Sequence, residues 1–579
     1  MILKQKLFFT TLVFCLLACF GVKAQTENIS PLRASASSFF HPTGADSAWV
    51  DSVFRKMSRK ERLAQLFMVP VYSRDPQNKQ DSVINLIHKY KAGGIITFQG
   101  GPVRNAILVN RIQQGLDVPA LVATDGEWGL GMRLDSTVSY PFQMTLGAIQ
   151  DNKLIYEVGQ QMATQFRRAG MNVNFAPVVD VNNNINNPVI NFRSFGENKY
   201  NVAAKGIAIV KGMQDGGLLT TAKHFPGHGD TDVDSHYDLP QLKFTRERLD
   251  SLEMYPFKQL IIEGISGVMV AHMNIPSLDT TKNLPSTLSQ PIVTDLLKNK
   301  LGFKGLVFTD AMNMKGVVKY HPKGEAAVLA IKAGNDMLEM VENLPESINA
   351  VRKAIRKREI RRKDVNARCK KILAAKYWAG LNNYQPVYLE NLTKDLNPAS
   401  ATDLNTRLAE AAATTLVAPA DTIIKTTEKV VVLSIGSVDL TVFQKSISSN
   451  NQVTLLNLAK DADAKKVDAI RKQLQSADKI IVGVHDLRER PRSVLDHNSA
   501  VINFVNELVL TNKAYINILA NAYAMAGFKD LEKSRGLWVY YQDSPFTEQA
   551  AAKVMQGELT TSGKLPVTVN TTFLSAQGL

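Results

Sequence analysis

The densest run of reactive side chains in this 579-residue chain is Lys223-His224-Phe225-Pro226-Gly227-His228-Gly229-Asp230-Thr231, continuing to Asp234-Ser235-His236. Its proline and two glycines mark a loop, which can bend His and Asp side chains into a cleft. Three chemistries compete for it. His224, His228, His236 and Asp230 carry nitrogen and oxygen donors suited to a metal, but their spacing matches no common zinc signature. A loop held by its own hydrogen bonds accounts for His228 and Asp230, whose neighbours demand a tight turn. Acid/base chemistry accounts for Asp234 and His236, which are separated by one residue, so that a local turn brings the carboxylate onto one imidazole nitrogen. Such a contact fixes the tautomer and raises the basicity of the other nitrogen, giving a proton donor and acceptor near neutral pH.

These side chains need a scaffold, and the flanking sequence describes one. Continuous apolar runs at Leu63–Val71, Gly94–Phe98, Ala120–Thr124, Val173–Val179, Leu218–Ala222, Gly267–Ala271, Gly305–Thr309 and Asn335–Met340 alternate with amphipathic stretches. Such runs indicate parallel strands buried on both faces. Eight of them fit a closed (β/α)8 barrel of the TIM type, with an open doubly wound sheet as the structural alternative. Polar residues fall just after successive strands: Asp125, Asn182, Lys223 with His224, His272 and Asp310. A barrel gathers residues from this end of its strands into one cleft, which favours the closed form.

A basic helix, Arg352–Lys376, ends this region, and its Arg/Lys run reads as a solvated face. A second α/β alternation follows, with apolar runs at Lys429–Ile435, Val453–Leu458, Lys479–Val484, Tyr515–Leu519 and Leu537–Tyr541. Five short strands with helices between them predict a C-terminal three-layer α/β/α sandwich. Its glycines are too sparse for a nucleotide loop. The division is 1–24 export signal, 25–45 spacer, 46–382 barrel, 383–420 linker with a helix at Asn405–Thr415, and 421–579 sandwich.

At the N-terminus, Lys4 and Lys6, the apolar Leu7–Phe20 and Val22-Lys23-Ala24 read as a cleaved export signal. A lipoprotein signal with Cys19 as the lipidated residue competes, but the Leu17 box position is imperfect. Cleavage leaves Cys369 as the one remaining thiol, so the mature chain has no internal disulfide. The apolar stretch is shorter than the ~20 residues that a spanning helix needs. Lys and Arg exceed Asp and Glu by 68 − 53 = 15. With no zinc-finger spacing, ribonucleoprotein motif or basic arm, that excess reads as solvation and not as nucleic-acid binding.

The Lys223–His236 run resembles the signature of glycoside hydrolase family 3, in its β-N-acetylglucosaminidase branch. Four further segments resemble that family in order: Asp125-Gly-Glu-Trp-Gly with Arg133, Asn191-Phe-Arg193-Ser-Phe-Gly196, Ala271-His272-Met273 and Thr309-Asp310-Ala-Met-Asn-Met314. The second domain, ending in Gly563-Lys-Leu-Pro-Val-Thr-Val569, resembles the family's sandwich domain. The resemblance implies a retaining mechanism in which Asp310 is the nucleophile, His236 the acid/base and Asp234 its orienting partner. It implies that Asp125, Arg133, Arg193, Lys223 and His224 hold the minus-one sugar. Arg193 as a buried ion-pair partner and Asp310 as a helix cap are the plain structural alternatives.

The activity implied is that of an exported, periplasmic β-N-acetylhexosaminidase without metal or organic cofactor. Its substrates would be GlcNAc-containing glycans, either peptidoglycan fragments or chitooligosaccharides. A β-glucosidase or β-xylosidase, an N-acetylglucosaminide phosphorylase and a catalytically silent carbohydrate-binding protein are the alternatives. One departure bears on specificity: Trp128 stands where the family has the first of two adjacent glycines.

Overall fold

The computed structural model describes residues 39–579 apart from 235, 236, 420, 422, 425, 426, 450 and 489–493. The export segment, most of the spacer and His236 lie outside the described residues.

The eight apolar runs become strands β1 (Phe67–Val71), β2 (Gly94–Thr97), β3 (Leu121–Thr124), β4 (Val173–Asn174), β5 (Leu219–Phe225), β6 (Gly267–Val270), β7 (Leu306–Thr309) and β8 (Leu338–Glu339). Each pairs in parallel with the next from β1 to β7, and β8 returns to β1 through Phe67↔Leu338 and Met68↔Glu339. A further parallel bridge, Phe308↔Met337, joins β7 to the start of β8 and closes the circle. The barrel is therefore closed and the open sheet is excluded. Parallel neighbours need long crossovers, which the intervening helices supply. Phe175, just after β4, meets Phe308 of β7 edge-to-face at 5.3 Å, a contact made through the interior. The barrel is thus a packed core and not a pore.

Two runs are trimmed relative to the sequence reading. Ser58 and Glu61 form a reciprocal capping box that starts a helix at Arg59–Ala64, so β1 begins only at Phe67. The β4 run stops at Asn174 because Pro177 has no N–H to give a ladder; only the isolated bridge Val178↔Lys223 continues it. On the outside, helices Asn152–Arg168 and Lys199–Asp215 cross at Gly159 and Gly212. A Cβ on Gly159 would stand 2.3 Å from the Ile209 carbonyl oxygen, and one on Gly212 would stand 2.1 Å from that of Tyr156. Only glycine permits that approach.

The second domain is a six-stranded sheet, β9 (Thr414–Val417), β10 (Val430–Ile435), β11 (Thr454–Leu458), β12 (Lys479–His485), β13 (Ala514–Leu519) and β14 (Gly536–Val539). Its order is β11-β10-β12-β13-β14-β9, with β9 antiparallel to β14 and every other pair parallel. Strand β9 corrects the sequence reading, which placed these residues in a linker and at the end of a helix. The helix is Ala399–Ala412, and the β-branched Thr414-Thr415 and Val417 beyond it favour an edge strand.

The sandwich grips the barrel at the rim where the cleft opens. Asn182 donates to the Tyr523 hydroxyl at 2.7 Å, and Gln542 Oε1 accepts from Phe142 N (2.7 Å) and Thr145 Oγ1 (2.9 Å). Glu197 accepts from the backbone N–H and hydroxyl of Thr568 at 2.7 and 2.6 Å, and Asn521 donates to Asn191. Among the described residues no helix is long and apolar enough to cross a membrane.

Candidate active site

A cleft of about 730 Å³ at the C-terminal ends of the barrel strands is lined by Asp125, Arg133, Arg193, Lys223, His224, Asp234 and Asp310. Seven of the eight residues to which the family resemblance gives a role therefore meet in one place. The eighth, His236, lies outside the described residues.

Lys223 and His224 reach the cleft because β5 is irregular there. Ala222 pairs with Val268 but Phe225 with Val270, so β5 carries one extra residue at this point. A bulge of this kind re-aims side chains beside a site. The buried Lys223 ammonium donates to Asp125 Oδ1 at 2.9 Å and pairs with Glu127 Oε1 at 2.8 Å. Arg133 donates to the other oxygen of Asp125 at 2.7 Å. Arg193 holds Glu127 with a two-pronged fork, Nε at 2.8 Å and Nη2 at 2.7 Å.

This alternation of two carboxylates and three cations sets the ionisation of the floor. Burial alone would raise Asp125 and Glu127. The Lys223 and Arg133 cations outweigh it at Asp125 and hold that carboxyl below the usual carboxylate range. Arg193 and Lys223 do the same to Glu127, bringing it down to about 2. Lys223, in turn, would lose its proton on burial, but Asp125 and Glu127 keep it charged.

His224 Nδ1 donates to Asp180 Oδ2 at 2.8 Å, and Asp180 Oδ1 accepts from His228 N at 2.7 Å. Although burial opposes ionisation, the His224 interaction lowers the Asp180 carboxyl, so Asp180 acts as acceptor and Nδ1 carries the proton. Asp180 thereby shapes the loop and fixes the His224 ring. His228 Nδ1 meets Thr231 Oγ1 at 2.8 Å, and burial followed by repulsion from His224 pushes its imidazole down to about 4. Asp230 pairs with Arg248 at 2.5 Å, as a hydrogen-bonded loop requires. Tyr237 N and Asp238 N donate to the Asp234 carbonyl at 3.0 and 3.2 Å. After β7, Asp310 Oδ1 accepts from Ala311 N at 2.7 Å.

Two strand-end residues do not enter the cleft. Asn182 is spent on the Tyr523 hydroxyl at the domain junction. His272 is fully buried, bonded to Thr287 Oγ1 and, at 3.1 Å, to the Ala311 carbonyl, so it braces the segment after β7 from behind. Three acidic residues escaped the sequence reading: Glu127, Asp180 and Glu339. Each carries the signal that identified the others, an acid at or just beyond the C-terminal end of an apolar run. Glu127 stands inside the Asp125-Gly-Glu turn, Asp180 directly after Val173–Val179, and Glu339 within Asn335–Met340.

Trp128 is nearly buried and stacks edge-on against Phe142 at 4.9 Å, while Phe142 lies on Phe192 at 4.4 Å. Trp128 and Phe192 line both the cleft and a neighbouring cavity between barrel and sandwich. Among the described residues one group has metal-donor spacing, His485, Asp543 and Glu548 in the second domain. There His485 Nδ1 lies 3.0 Å from Asp543 Oδ2, and Glu548 accepts from Phe443 N at 2.8 Å.

A closed barrel whose strand ends deliver carboxylates, cations and an oriented histidine into one polar cleft defines a barrel enzyme. Residues 58–375 match the glycosyl hydrolase family 3 N-terminal domain, and the chain belongs to that family. It is 36% identical over 278 residues to a beta-hexosaminidase A from Pseudoalteromonas piscicida, a match covering 44% of this chain and 46% of the relative. It is 29% identical over 343 residues to a beta-N-acetylglucosaminidase/beta-glucosidase from Cellulomonas fimi, covering 58% and 60% respectively. The chain thus spans about half of the first relative's length and three fifths of the second's. Among solved structures it is similar to a family 3 beta-N-acetylglucosaminidase from Paenibacillus sp. str. FPU-7, with a TM-score of 0.75 and 29% identity. That similarity covers 89% of this chain and 99% of the other.

Proposed function

We propose that the protein is an exported, retaining β-N-acetylhexosaminidase that removes terminal non-reducing GlcNAc from peptidoglycan fragments or chitooligosaccharides. The observation that carries this reading is the meeting of Asp125, Arg133, Arg193, Lys223, His224, Asp234 and Asp310 in one cleft. The names of the relatives support the choice of sugar, and residues 1–24 support export to the periplasm.

In the first step Asp310 attacks the anomeric carbon while His236 gives a proton to the leaving oxygen, and a glycosyl-aspartate ester forms. In the second step His236 takes a proton from water, whose oxygen attacks the anomeric carbon and releases Asp310. Asp234 orients the imidazole and balances its charge. The Ala311 N–H on Oδ1 fixes the Asp310 carboxylate for in-line attack. Asp125, Arg133, Lys223, His224 and Arg193 bind hydroxyl and substituent oxygens of the sugar, and their mutual ion pairs hold them in place before it arrives. A neutral imidazole repels an anionic acceptor less than a carboxylate does, which favours phosphorolysis as the second reading.

Initial rates on nitrophenyl β-N-acetylglucosaminide, β-glucoside and β-xyloside, each with and without phosphate, test the proposal. Preference for the N-acetyl sugar, indifferent to phosphate, is the expected result. Release of sugar 1-phosphate makes the protein a phosphorylase, and silence on all three leaves a carbohydrate-binding protein. Asp310→Ala abolishes turnover in a folded chain; full activity in that variant overturns the nucleophile assignment.

A further inference from the structure

Glu339 is the last residue of β8 and lines the same cleft, yet it belongs to none of the ion pairs on its floor. Its backbone is fixed: the N–H donates to Thr309 Oγ1 at 3.0 Å and the carbonyl accepts from Met312 N at 2.9 Å. The residue is 4% exposed, and among the described residues its Oε1 has no hydrogen-bond partner. The other carboxylates of the floor are engaged. Asp125 has Lys223 and Arg133, Glu127 has Arg193 and Lys223, and Asp180 has His224. A buried carboxyl oxygen left without a partner is destabilising, so its retention calls for an explanation.

We propose that Glu339 is a further sugar-binding residue whose Oε1 makes a hydrogen bond with one ring hydroxyl of the minus-one sugar. The proposal rests on the glycosidase reading above. The charges facing Glu339 are Asp125 from the end of β3, Asp310 from the end of β7 and, opposing them, Lys223 from β5. Burial first, then Asp125 and Asp310, raise the Glu339 carboxyl well above its ordinary value, whereas Lys223 pulls the other way. A protonated carboxyl is the one form that adds a donor here without placing a third negative charge beside Asp125 and Asp310. Lys223 and the two arginines are donors only, and ionised Asp125 is an acceptor only, so Glu339 gives the floor a group with both capacities.

The test compares wild type, Glu339→Gln and Glu339→Leu on whichever aryl β-glycoside the wild type turns over best, and on its 3-, 4- and 6-deoxy analogues. Gln keeps both a donor and an acceptor, so kcat/KM stays within about threefold of wild type. Leu lowers kcat/KM by roughly 10- to 100-fold on the parent sugar, the range of one or two lost hydrogen bonds. That loss disappears on the one deoxy analogue that lacks the partner hydroxyl. A Leu variant within twofold of wild type, or one equally impaired on every deoxy analogue, overturns the proposal, because the second pattern is that of a structural residue. If the Leu variant does not fold, Glu339→Ala takes its place in the same comparison on the deoxy analogues, with the same two outcomes overturning the proposal. A wild type silent on all glycosides is a failure of the glycosidase reading instead. Calorimetric binding of N-acetylglucosamine and glucose to wild type and Glu339→Leu then tests Glu339 alone, with equal affinities overturning it.

Discussion

Glu127→Ala removes the carboxylate that Arg193 and Lys223 share, and its cost can be worked from the geometry. Three charge-assisted contacts of 2.7–2.8 Å disappear together. Each is worth ~1.5–3 kcal/mol, but the two prongs of the Arg193 fork are not independent, so the three do not simply add. Lys223 retains Asp125 at 2.9 Å, whereas Arg193 is left with the Val189 carbonyl at 2.9 Å. The appropriate scale is that of a buried pair broken on one side, ~3–5 kcal/mol. Urea unfolding followed by circular dichroism reads this as a lower midpoint with an unchanged slope. A double-mutant cycle with Arg193→Ala separates the pair from its surroundings. The double variant is expected to be more stable than the sum of the single changes by ~1–3 kcal/mol, since the orphaned guanidinium is gone. Activity falls further than stability suggests. Displacing Arg193 or Lys223 by an ångström costs ~100-fold in rate where positioning supplies the catalysis. If Glu127→Ala unfolds within ~1 kcal/mol of wild type and keeps kcat/KM within threefold, the ion-pair floor is not what organises the cleft.

The same network makes the barrel acid-labile. Glu127 sits at about 2 in the fold against an ordinary 4.5, so the unfolded chain binds the extra proton between those values. Stability is therefore fully present above pH 4.5 and is lost as pH falls towards 2, and Glu127→Gln flattens that part of a stability-versus-pH curve. Trp128→Ala empties an aromatic contact against Phe142 and is expected to cost ~3–5 kcal/mol while altering the ratio of kcat/KM for N-acetylglucosaminide over glucoside. An unaltered ratio means that Trp128 only packs. Burial pushes the Cys369 thiol up to about 12, so it reacts with a disulfide reagent only after unfolding. Rapid labelling of Cys369 in the native protein contradicts the packing of helix Arg362–Trp378.

Much of the architecture was legible in the chain because buried parallel strands need uninterrupted apolar runs, and the runs at 94–98, 267–271 and 305–309 match their strands to within a residue at either end. Asp125, Lys223, His224 and Asp310 were legible for the same reason, since a polar residue closing such a run has few places to go other than the cleft. Asn182 and His272 carried the identical signal and went elsewhere. Their destinations, the Tyr523 hydroxyl and the Thr287–Ala311 pocket, belong to segments distant in sequence, which no local pattern announces. The edge strand β9 was hidden likewise, because its four residues make sense only against β14, some 120 residues on.

By itself, then, the sequence determined the barrel, the sandwich and the identity of most cleft residues, through periodicity and through the positions at which polar side chains end apolar runs. The charge state of that cleft was decided only by the fold. Whether an acid is paired or orphaned depends on which cations other strands bring within 3 Å, and at Asp125 and Glu127 those cations outweigh the cost of burial. Glu127 and Glu339 are two acids of similar local setting. Folding places Arg193 and Lys223 on the first and leaves the second facing Asp125 and Asp310, so the first carboxyl is held below its ordinary range and the second is pushed above it.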